Sequence, residues 1–273
     1  MLKLRKTVSE TVRETAREKA LGTFLLALLC LILNATNASA HDSNETKKQA
    51  VVVAVASNFY LPLQQILSSH AHNFDVTVIS GSSGMLYSQL KNGAPFDLYL
   101  SADAERPQLL FAAGMSSEPV SYAVGQLALY PYNDKLPLKQ QLKSANKISI
   151  ANPKLAPFGL AAMQVLQSMS LEQSPNLVMG NSVAQAFQFV DSGNANIGLL
   201  SVSQLLQAHA SFNDEKYLNY TLIDASLYAP IEQQAVIVKG AKNQVTARDF
   251  LTFLMSDEVQ NHIVSLGYSR PSD

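Results

Sequence analysis

Residues 49–59 read QAVVVAVASNF, a pattern that predicts one complete strand-to-helix unit. Seven apolar residues in a row, rich in valine, are typical of a strand buried on both faces of a parallel sheet. The polar residues Ser57 and Asn58 end this run, and Phe59 and Leu63 then begin an apolar stripe at helical spacing. This order of strand, polar turn and helix is the basic unit of an α/β protein.

The same alternation continues along the chain and predicts an α/β fold with mainly parallel sheets. Further strands are predicted at 76–80, 98–101, 126–130, 147–151, 177–179 and 196–200. Further helices are predicted at 84–92, 104–113, 157–169 and 183–191. Two β stretches, at 122–130 and 232–239, are candidates to cross between two lobes. We therefore expect a first lobe over 49–125, a second lobe over 126–228, and a return to the first lobe over 229–273.

The first 40 residues have the order of a secretory signal peptide. A basic segment at 1–19 precedes an uncharged apolar run at 20–33, and residues 34–40 read NATNASA, ending in small residues. The apolar run has about half the length that a membrane span needs, although an uncleaved anchor is the alternative. We expect cleavage before His41, a polar leader over 41–48, and a periplasmic protein. Because Cys30 lies in the signal peptide, the mature chain should contain no thiol.

Composition excludes several classes of function for the mature chain. Residues 41–273 contain 14 basic and 18 acidic side chains, a balance that argues against a nucleic-acid surface. The sequence of 81–84, GSSG, lacks the spacing of a G-x-S-x-G nucleophile turn. His70 and His72 have no accompanying cluster of ligands, so we interpret them as surface residues. We therefore expect no enzyme activity and no cofactor.

Polar residues lie at the strand-to-helix junctions, where a ligand could bind. Ser57 and Asn58 end the first strand, 81–84 ends the second, and 181–183 and 157–159 each begin a helix. Helix N-termini present unpaired N–H groups at the carboxyl ends of strands, and their dipoles favour an anion. Taken singly, serine and asparagine before a helix are plain N-caps far more often than ligand contacts, and only their repetition at several junctions favours a binding site. Both interpretations remain open from the residues alone.

Six segments together resemble the periplasmic molybdate-binding proteins of bacterial ABC transporters. They follow one another in order between about residues 49 and 270. The segments are VVVAVASNF at 51–59, SGSSGMLYSQL at 80–90, GAPFDLYLSAD at 93–103, ISIANPKLAPFGLAA at 148–162, GNSVAQAF at 180–187 and NIGLLSVSQ at 196–204. The third and fourth segments are specific, whereas the serine-rich turn alone is weak. The resemblance implies a two-lobed periplasmic-binding-protein fold with a ligand cleft between the lobes.

The resemblance also implies which residues bind the ligand. Ser57 and Ser83 match positions that contact the anion through hydroxyl groups, and Asn58 matches the amide that follows the first hydroxyl. Phe158 and Val183 match positions that donate through backbone N–H groups, so their side chains matter less. Molybdenum would be present only as the bound oxyanion.

One residue departs from the pattern of some family members, and other ligands remain open. Ser201 stands where those members have a ligand-contacting tyrosine, and we expect Ser201 not to contact the anion because Ser57 and Asn58 are present. The implied partners are molybdate or tungstate and the membrane permease of an ABC transporter, with the protein a monomer. The alternatives are another anion, such as sulfate, phosphate or a carboxylate, and an enzyme or sensor on the same fold.

Overall fold

The computed structural model describes residues 49–71 and 73–271 of the 273-residue chain. The predicted signal peptide at 1–40, the leader at 41–48 and His72 lie outside the described residues. No helix among the described residues is long and apolar enough to cross a bilayer.

The described residues alternate between strands and helices. The strands are β1 Gln49–Ala56, β2 Phe74–Gly81, β3 Leu98–Leu100, β4 Val120–Gly125, β5 Leu127–Tyr130, β6 Ile148–Ala151, β7 Leu177–Gly180, β8 Ile197–Ser201, β9 Thr221–Leu222, β10 Ile231–Ile237 and β11 Tyr268–Ser269. The helices are α1 Tyr60–His70, α2 Ser83–Lys91, α3 Glu105–Ala112, α4 Leu138–Ser144, α5 Pro157–Ser168, α6 Val183–Asp191, α7 Val202–Phe212, α8 Gln244–Leu254 and α9 Asp257–Ser265. Two short 3₁₀ helices lie at Glu215–Leu218 and Ala225–Leu227.

The strands form two sheets, and each sheet with its helices is called a lobe below. The first sheet has the order β11-β4-β10-β3-β1-β2, and the second has the order β7-β6-β8-β5-β9. The strands that precede the candidate site helices pair in parallel, β1 with β2 and β3, and β6 with β7 and β8. Strands β4, β5, β10 and β11 add antiparallel pairings. The predicted α/β fold with mainly parallel sheets is confirmed, and both sheets are mixed because antiparallel pairings join the parallel ones.

The chain passes from the first sheet to the second at a single residue, Gln126. Strand β4 ends at Gly125 and β5 begins at Leu127, so the β stretch predicted at 122–130 is divided between the two sheets. Strand β10 lies in the first sheet, between β4 and β3.

Burial of strand β1 explains its run of small and β-branched residues. Val53 and Val55 are fully buried and pack with Phe59 and Leu63, on the far side of the polar turn, in one apolar cluster. Burying one such side chain completely contributes about 1.5–3 kcal/mol. The strand and its following helix are therefore anchored on both sides of the turn at 57–58, which holds that turn at the edge of the sheet.

Candidate functional site

The ends of strands from both lobes meet in one apolar cluster. Ala56 and Ala102 of the first lobe pack in this cluster with Phe158 and Val183 of the second. The carboxyl ends of β1 and β2 lie side by side, where the backbone N–H of Ser57 donates to the Gly81 carbonyl oxygen at 2.8 Å. The polar junctions that the sequence indicates are thus brought to the boundary between the lobes.

The two lobes touch directly beside this cluster. The backbone N–H of Gly84 donates to the Leu155 carbonyl oxygen at 2.8 Å, and Arg106 Nη2 donates to the Lys154 carbonyl oxygen at 3.2 Å. A Cβ added to Gly84 would lie only 3.0 Å from the Leu155 oxygen. Glycine therefore permits this close approach of two backbones, and the lobes are in a closed arrangement.

Ser83 has the geometry of a hydroxyl donor rather than of a helix cap. Its neighbour Ser82 caps α2, accepting the Met85 N–H at 3.4 Å. The Ser83 side chain is buried, and its Oγ accepts the backbone N–H of Ala102 at 2.9 Å. Tyr99 Oη donates to the Ser83 carbonyl oxygen at 2.8 Å. Since a hydroxyl has one hydrogen to donate, this arrangement holds Ser83 Oγ in place and leaves its O–H for another acceptor.

Ser57 and Asn58 do not cap helix α1 either. The helix begins at Tyr60, after Phe59, and no side chain caps it. Within the described residues, the Ser57 hydroxyl and the Asn58 backbone N–H have no hydrogen-bond partner. The Asn58 side chain is buried and turns inward, where Nδ2 donates to Gln233 Oε1 at 3.0 Å.

A buried hydrogen-bonded network surrounds Asn58. Tyr268 Oη lies 3.2 Å from Asn58 Nδ2 and 2.9 Å from both the Asn58 carbonyl oxygen and Ser203 Oγ of the second lobe. Tyr122 Oη lies 3.0 Å from Gln233 Oε1. Burial raises the pKa of Tyr122 and of Tyr268, so both hydroxyls remain protonated at neutral pH. The network therefore stays neutral.

The second lobe contributes the starts of helices α5 and α6. Phe158 is the second residue of α5 and Val183 is the first of α6, and both side chains are buried. Backbone N–H groups in a first helical turn have no intrahelical acceptor. Ser182 caps α6 by accepting the Gln185 N–H at 3.2 Å, which leaves the earlier Val183 N–H outside the cap. These two junctions offer backbone donors.

Ser201 belongs to the network rather than to the set of outward donors. It caps helix α7, where its Oγ accepts the Gln204 N–H at 3.4 Å. Its Oγ also lies 2.6 Å from Ser203 Oγ. This engagement agrees with the expectation that Ser201 does not contact a ligand, which stays a prediction.

The charged groups near the junctions have hydrogen-bond or ion-pair partners within the protein. Arg106 and Asp103 form an ion pair, and Asp103 Oδ1 also accepts the Arg106 backbone N–H at 3.1 Å, beside the start of helix α3. Asp97 is buried, accepting from Val52 N at 2.8 Å and Asn243 N at 3.0 Å. The two aspartates thus have separate structural partners. Within 49–71 and 73–271, no group of three or more His, Cys, Asp or Glu side chains could hold a metal.

Comparison with known proteins identifies the family. The family model described as bacterial extracellular solute-binding protein matches residues 51–269. The chain belongs to this family. Solute-binding proteins capture a ligand between two lobes by hinge closure, and the closed lobes with converging helix starts have that arrangement.

Individual relatives support the same assignment. The chain is 35% identical over 230 residues to the molybdate-binding protein ModA of Rhodobacter capsulatus, covering 80% of this chain and 87% of that protein. It is 36% identical over 230 residues to ModA of Azotobacter vinelandii, covering 80% and 89% of the two chains. The solved periplasmic molybdate-binding protein of Azotobacter vinelandii superposes with a TM-score of 0.73 at 30% identity, covering 81% of this solute-binding protein and all of that chain.

The buried partners of Asn58 were not predicted from the sequence. Gln233 and Tyr268 follow Asn58 by 175 and 210 residues, so no local motif connects them. One signal was nonetheless present: strand β10 reads IEQQAVI, and three consecutive polar residues between apolar ones are unusual in a buried strand. A buried glutamine needs partners for its amide, and it therefore indicates a polar network.

Proposed function

We propose that this chain is a periplasmic solute-binding protein that captures molybdate or tungstate and delivers it to the membrane permease of an ABC importer. The observation that carries the proposal is the set of neutral donors at the lobe boundary. The hydroxyls of Ser57 and Ser83 and the backbone N–H groups of Asn58, Phe158 and Val183 would bind the oxyanion. Molybdenum enters only as the centre of that oxyanion.

Neutral donors can bind a dianion without a charged side chain, because the ligand itself supplies the charge of each hydrogen bond. A charge-assisted hydrogen bond from a preorganised N–H or O–H group contributes about 1.5–3 kcal/mol. Helix starts add the favourable end of their dipoles. Because backbone N–H groups can only donate, they would disfavour protonated anions, whose O–H groups would face other donors.

The size of the cleft would provide selectivity among oxyanions. Sulfate is smaller than molybdate and would leave some donors unpaired, and each buried unpaired donor costs about 1–3 kcal/mol. Molybdate and tungstate are close in size, so both are ligands in this proposal. The molybdate-binding relatives at 35% and 36% identity support the same ligand class.

A panel of oxyanions tests the ligand. The melting temperature of purified protein 41–273 is measured with molybdate, tungstate, sulfate or phosphate. The same four measurements are made on the Ser83→Ala variant. A ligand at 100 times its dissociation constant adds about 2.7 kcal/mol by mass action, so molybdate and tungstate should raise the melting temperature clearly above the other two. Equal shifts from all four anions, or shifts unchanged in Ser83→Ala, would contradict the proposed site and its selectivity.

Export and processing form a separate part of the proposal. The order of residues 1–40 supports cleavage before His41 and release into the periplasm. In this proposal the released protein is a monomer that docks on the permease. Intact mass of the periplasmic protein should match a chain that begins at His41, and light scattering should give one copy. A product that retains Cys30 with an attached lipid would show a membrane-anchored protein instead.

A further inference from the structure

The buried amide of Gln233 is satisfied on one side only. Its Oε1 accepts from Asn58 Nδ2 and lies 3.0 Å from Tyr122 Oη. Its Nε2 is buried and has no hydrogen-bond partner within 49–71 and 73–271. With Asn58 in its present orientation, exchanging the two atoms of Gln233 would set Nε2 against the Asn58 Nδ2 donor. A buried unpaired N–H lowers stability. The hydrogen bonds of Oε1, rather than those of Nε2, therefore indicate what this glutamine does.

The oxygen of Gln233 holds the turn that carries Asn58. Asn58 Nδ2 has two hydrogens, and it donates to Gln233 Oε1 at 3.0 Å and to Tyr268 Oη at 3.2 Å. The Asn58 carbonyl oxygen is also engaged, at 2.9 Å from Tyr268 Oη. The side-chain nitrogen of Asn58 is thus saturated inside the protein. Only its backbone N–H remains as a donor for a ligand.

Gln233 also lies against the second lobe. A Cβ added to Gly125 would stand 2.9 Å from Gln233 Nε2 and 2.7 Å from Phe158 Cζ. The Gln233 amide and the Phe158 ring therefore both lie next to the Gly125 α-carbon. Gly125 ends strand β4, one residue before the passage between the sheets. Gln233 therefore occupies the space between the Asn58 turn and the start of helix α5.

We infer that Gln233 is a positioning residue for the anion site, an inference that rests on the proposed function. Its Oε1 holds the Asn58 turn so that the backbone N–H of Asn58 is presented to the anion. Gln233 is completely buried, and it acts through Asn58 without contacting the anion.

Two variants of strand β10 separate positioning from general stability. Gln233→Leu removes the acceptor for Asn58, and Val236→Ala removes apolar packing from a fully buried residue of the same strand. Calorimetry with molybdate and urea unfolding are measured on the same samples. Gln233→Leu should raise the molybdate dissociation constant by about tenfold or more. Val236→Ala should lower the unfolding midpoint and leave the dissociation constant within about twofold.

Gln233→Glu provides a rescue that depends on pH. A neutral glutamic acid retains a carbonyl oxygen for Asn58, and burial keeps an acid neutral to a higher pH than usual. The variant should bind molybdate nearly as well as the wild type at pH 6 and progressively worse towards pH 8.5, relative to the wild type at each pH. Affinity retained at pH 6 indicates that the acceptor oxygen positions Asn58, whereas the loss at higher pH arises because an ionised carboxylate repels the anion. This variant decides the question if Gln233→Leu does not fold.

The outcomes distinguish the inference from the proposed function. If the wild type binds molybdate and Gln233→Leu binds it equally well, the positioning role is wrong and the proposed function stands. Equal loss of affinity in Gln233→Leu and Val236→Ala, or a loss of about tenfold or more in Gln233→Glu at pH 6, overturns the inference in the same way. If the wild type does not bind molybdate or tungstate, the proposed function fails and the inference fails with it.

Discussion

The two lobes hold their candidate donors by different means. In the first lobe, Ser83 Oγ accepts a backbone N–H and Asn58 Nδ2 donates to Gln233 Oε1, so side-chain hydrogen bonds hold both residues. In the second lobe, Phe158 and Val183 are only 1% and 3% exposed, and apolar packing holds them. Their N–H groups belong to the backbone at helix starts.

Because of this difference, effects on affinity and on folding stability can be separated by substitution. A side-chain substitution in the first lobe removes a donor or its support. The equivalent substitution in the second lobe removes packing but keeps the N–H, because the backbone is unchanged. Substitutions in the two lobes should therefore change different quantities.

The largest expected effect is on affinity in the first lobe. Ser83→Ala should weaken molybdate binding by about tenfold to a hundredfold, since one charge-assisted hydrogen bond is lost, and Ser57→Ala should act in the same direction. Ser82→Ala is the matched control: it removes the cap of α2, lowers the free energy of unfolding by about 1 kcal/mol, and leaves affinity nearly unchanged. Calorimetry and denaturant unfolding measure both quantities. If Ser83→Ala lowers only stability, Ser83 is structural and the lobes do not differ as described.

A backbone substitution tests the second lobe. Val183 is the first residue of α6, where proline is well tolerated, so Val183→Pro deletes the N–H with little strain. We expect molybdate affinity to fall by about tenfold. Val183→Ala keeps the N–H and should lower stability while leaving affinity close to that of the wild type. Equal affinities of the proline and alanine variants would show that this N–H does not bind the anion.

Contact between the lobes should give a smaller effect. Gly84→Ala places a Cβ 3.0 Å from the Leu155 carbonyl oxygen and 3.2 Å from Arg106 Nη2, so the closed arrangement must yield slightly. Alanine also favours a helix more than glycine does, by about 1 kcal/mol. We expect molybdate affinity to fall by about threefold to tenfold while the ligand-free protein becomes no less stable. Ser88→Ala, on the exposed side of the same helix, should change neither quantity. Unchanged affinity in Gly84→Ala would show that the contact between Gly84 and Leu155 does not contribute to lobe closure.

The smallest effect concerns pH and the first lobe alone. His262 Nδ1 lies 3.1 Å from His70 Nε2, and Glu258 lies 3.1 Å from His70 Nδ1. Burial first, and the charge of His70 second, lower the pKa of His262 below its ordinary value of about 6.5. The unfolded chain thus binds more protons near that pH, so stability should fall as pH decreases from about 7 through 6.5 and below.

Thermal unfolding across this range checks the prediction. His262→Gln should reduce the pH dependence, and His209→Gln, which changes a histidine of the second lobe, should retain it. The same pH dependence in His262→Gln as in the wild type would assign the effect to other groups.

Local patterns in the sequence predict the elements well but not their partners. The helix predicted at 183–191 and the first strand agree with the structure, because apolar periodicity is a property of neighbouring residues. The stretch 122–130 appears as one strand in sequence, yet it divides at Gln126. Its two halves pair with different strands, β10 and β11 for one and β8 and β9 for the other. That choice depends on residues far away in the chain.

In the candidate site, local sequence likewise does not show which of two adjacent serines caps the helix. Ser82 and Ser83 are adjacent and chemically identical, and the register of helix α2 decides that Ser82 is the cap. Composition cannot distinguish the two, whereas the family resemblance selects Ser83. The network of Gln233 and Tyr268 has no local signal beyond the polar residues of strand β10.

The order of strands in the first sheet has a consequence for the newly made chain. Strand β10 lies between β4 and β3, and β11 forms the edge beyond β4. Until residues 231–269 have been synthesised, β4 has no ladder to the β3-β1-β2 group, and Asn58 lacks both Gln233 and Tyr268. A nascent chain therefore cannot complete this sheet, or fix the turn at 57–58, before residues 231–269 have been made. For the export proposed above, we expect such a chain to remain unfolded long enough to pass through an export channel, and to acquire ligand affinity only after it.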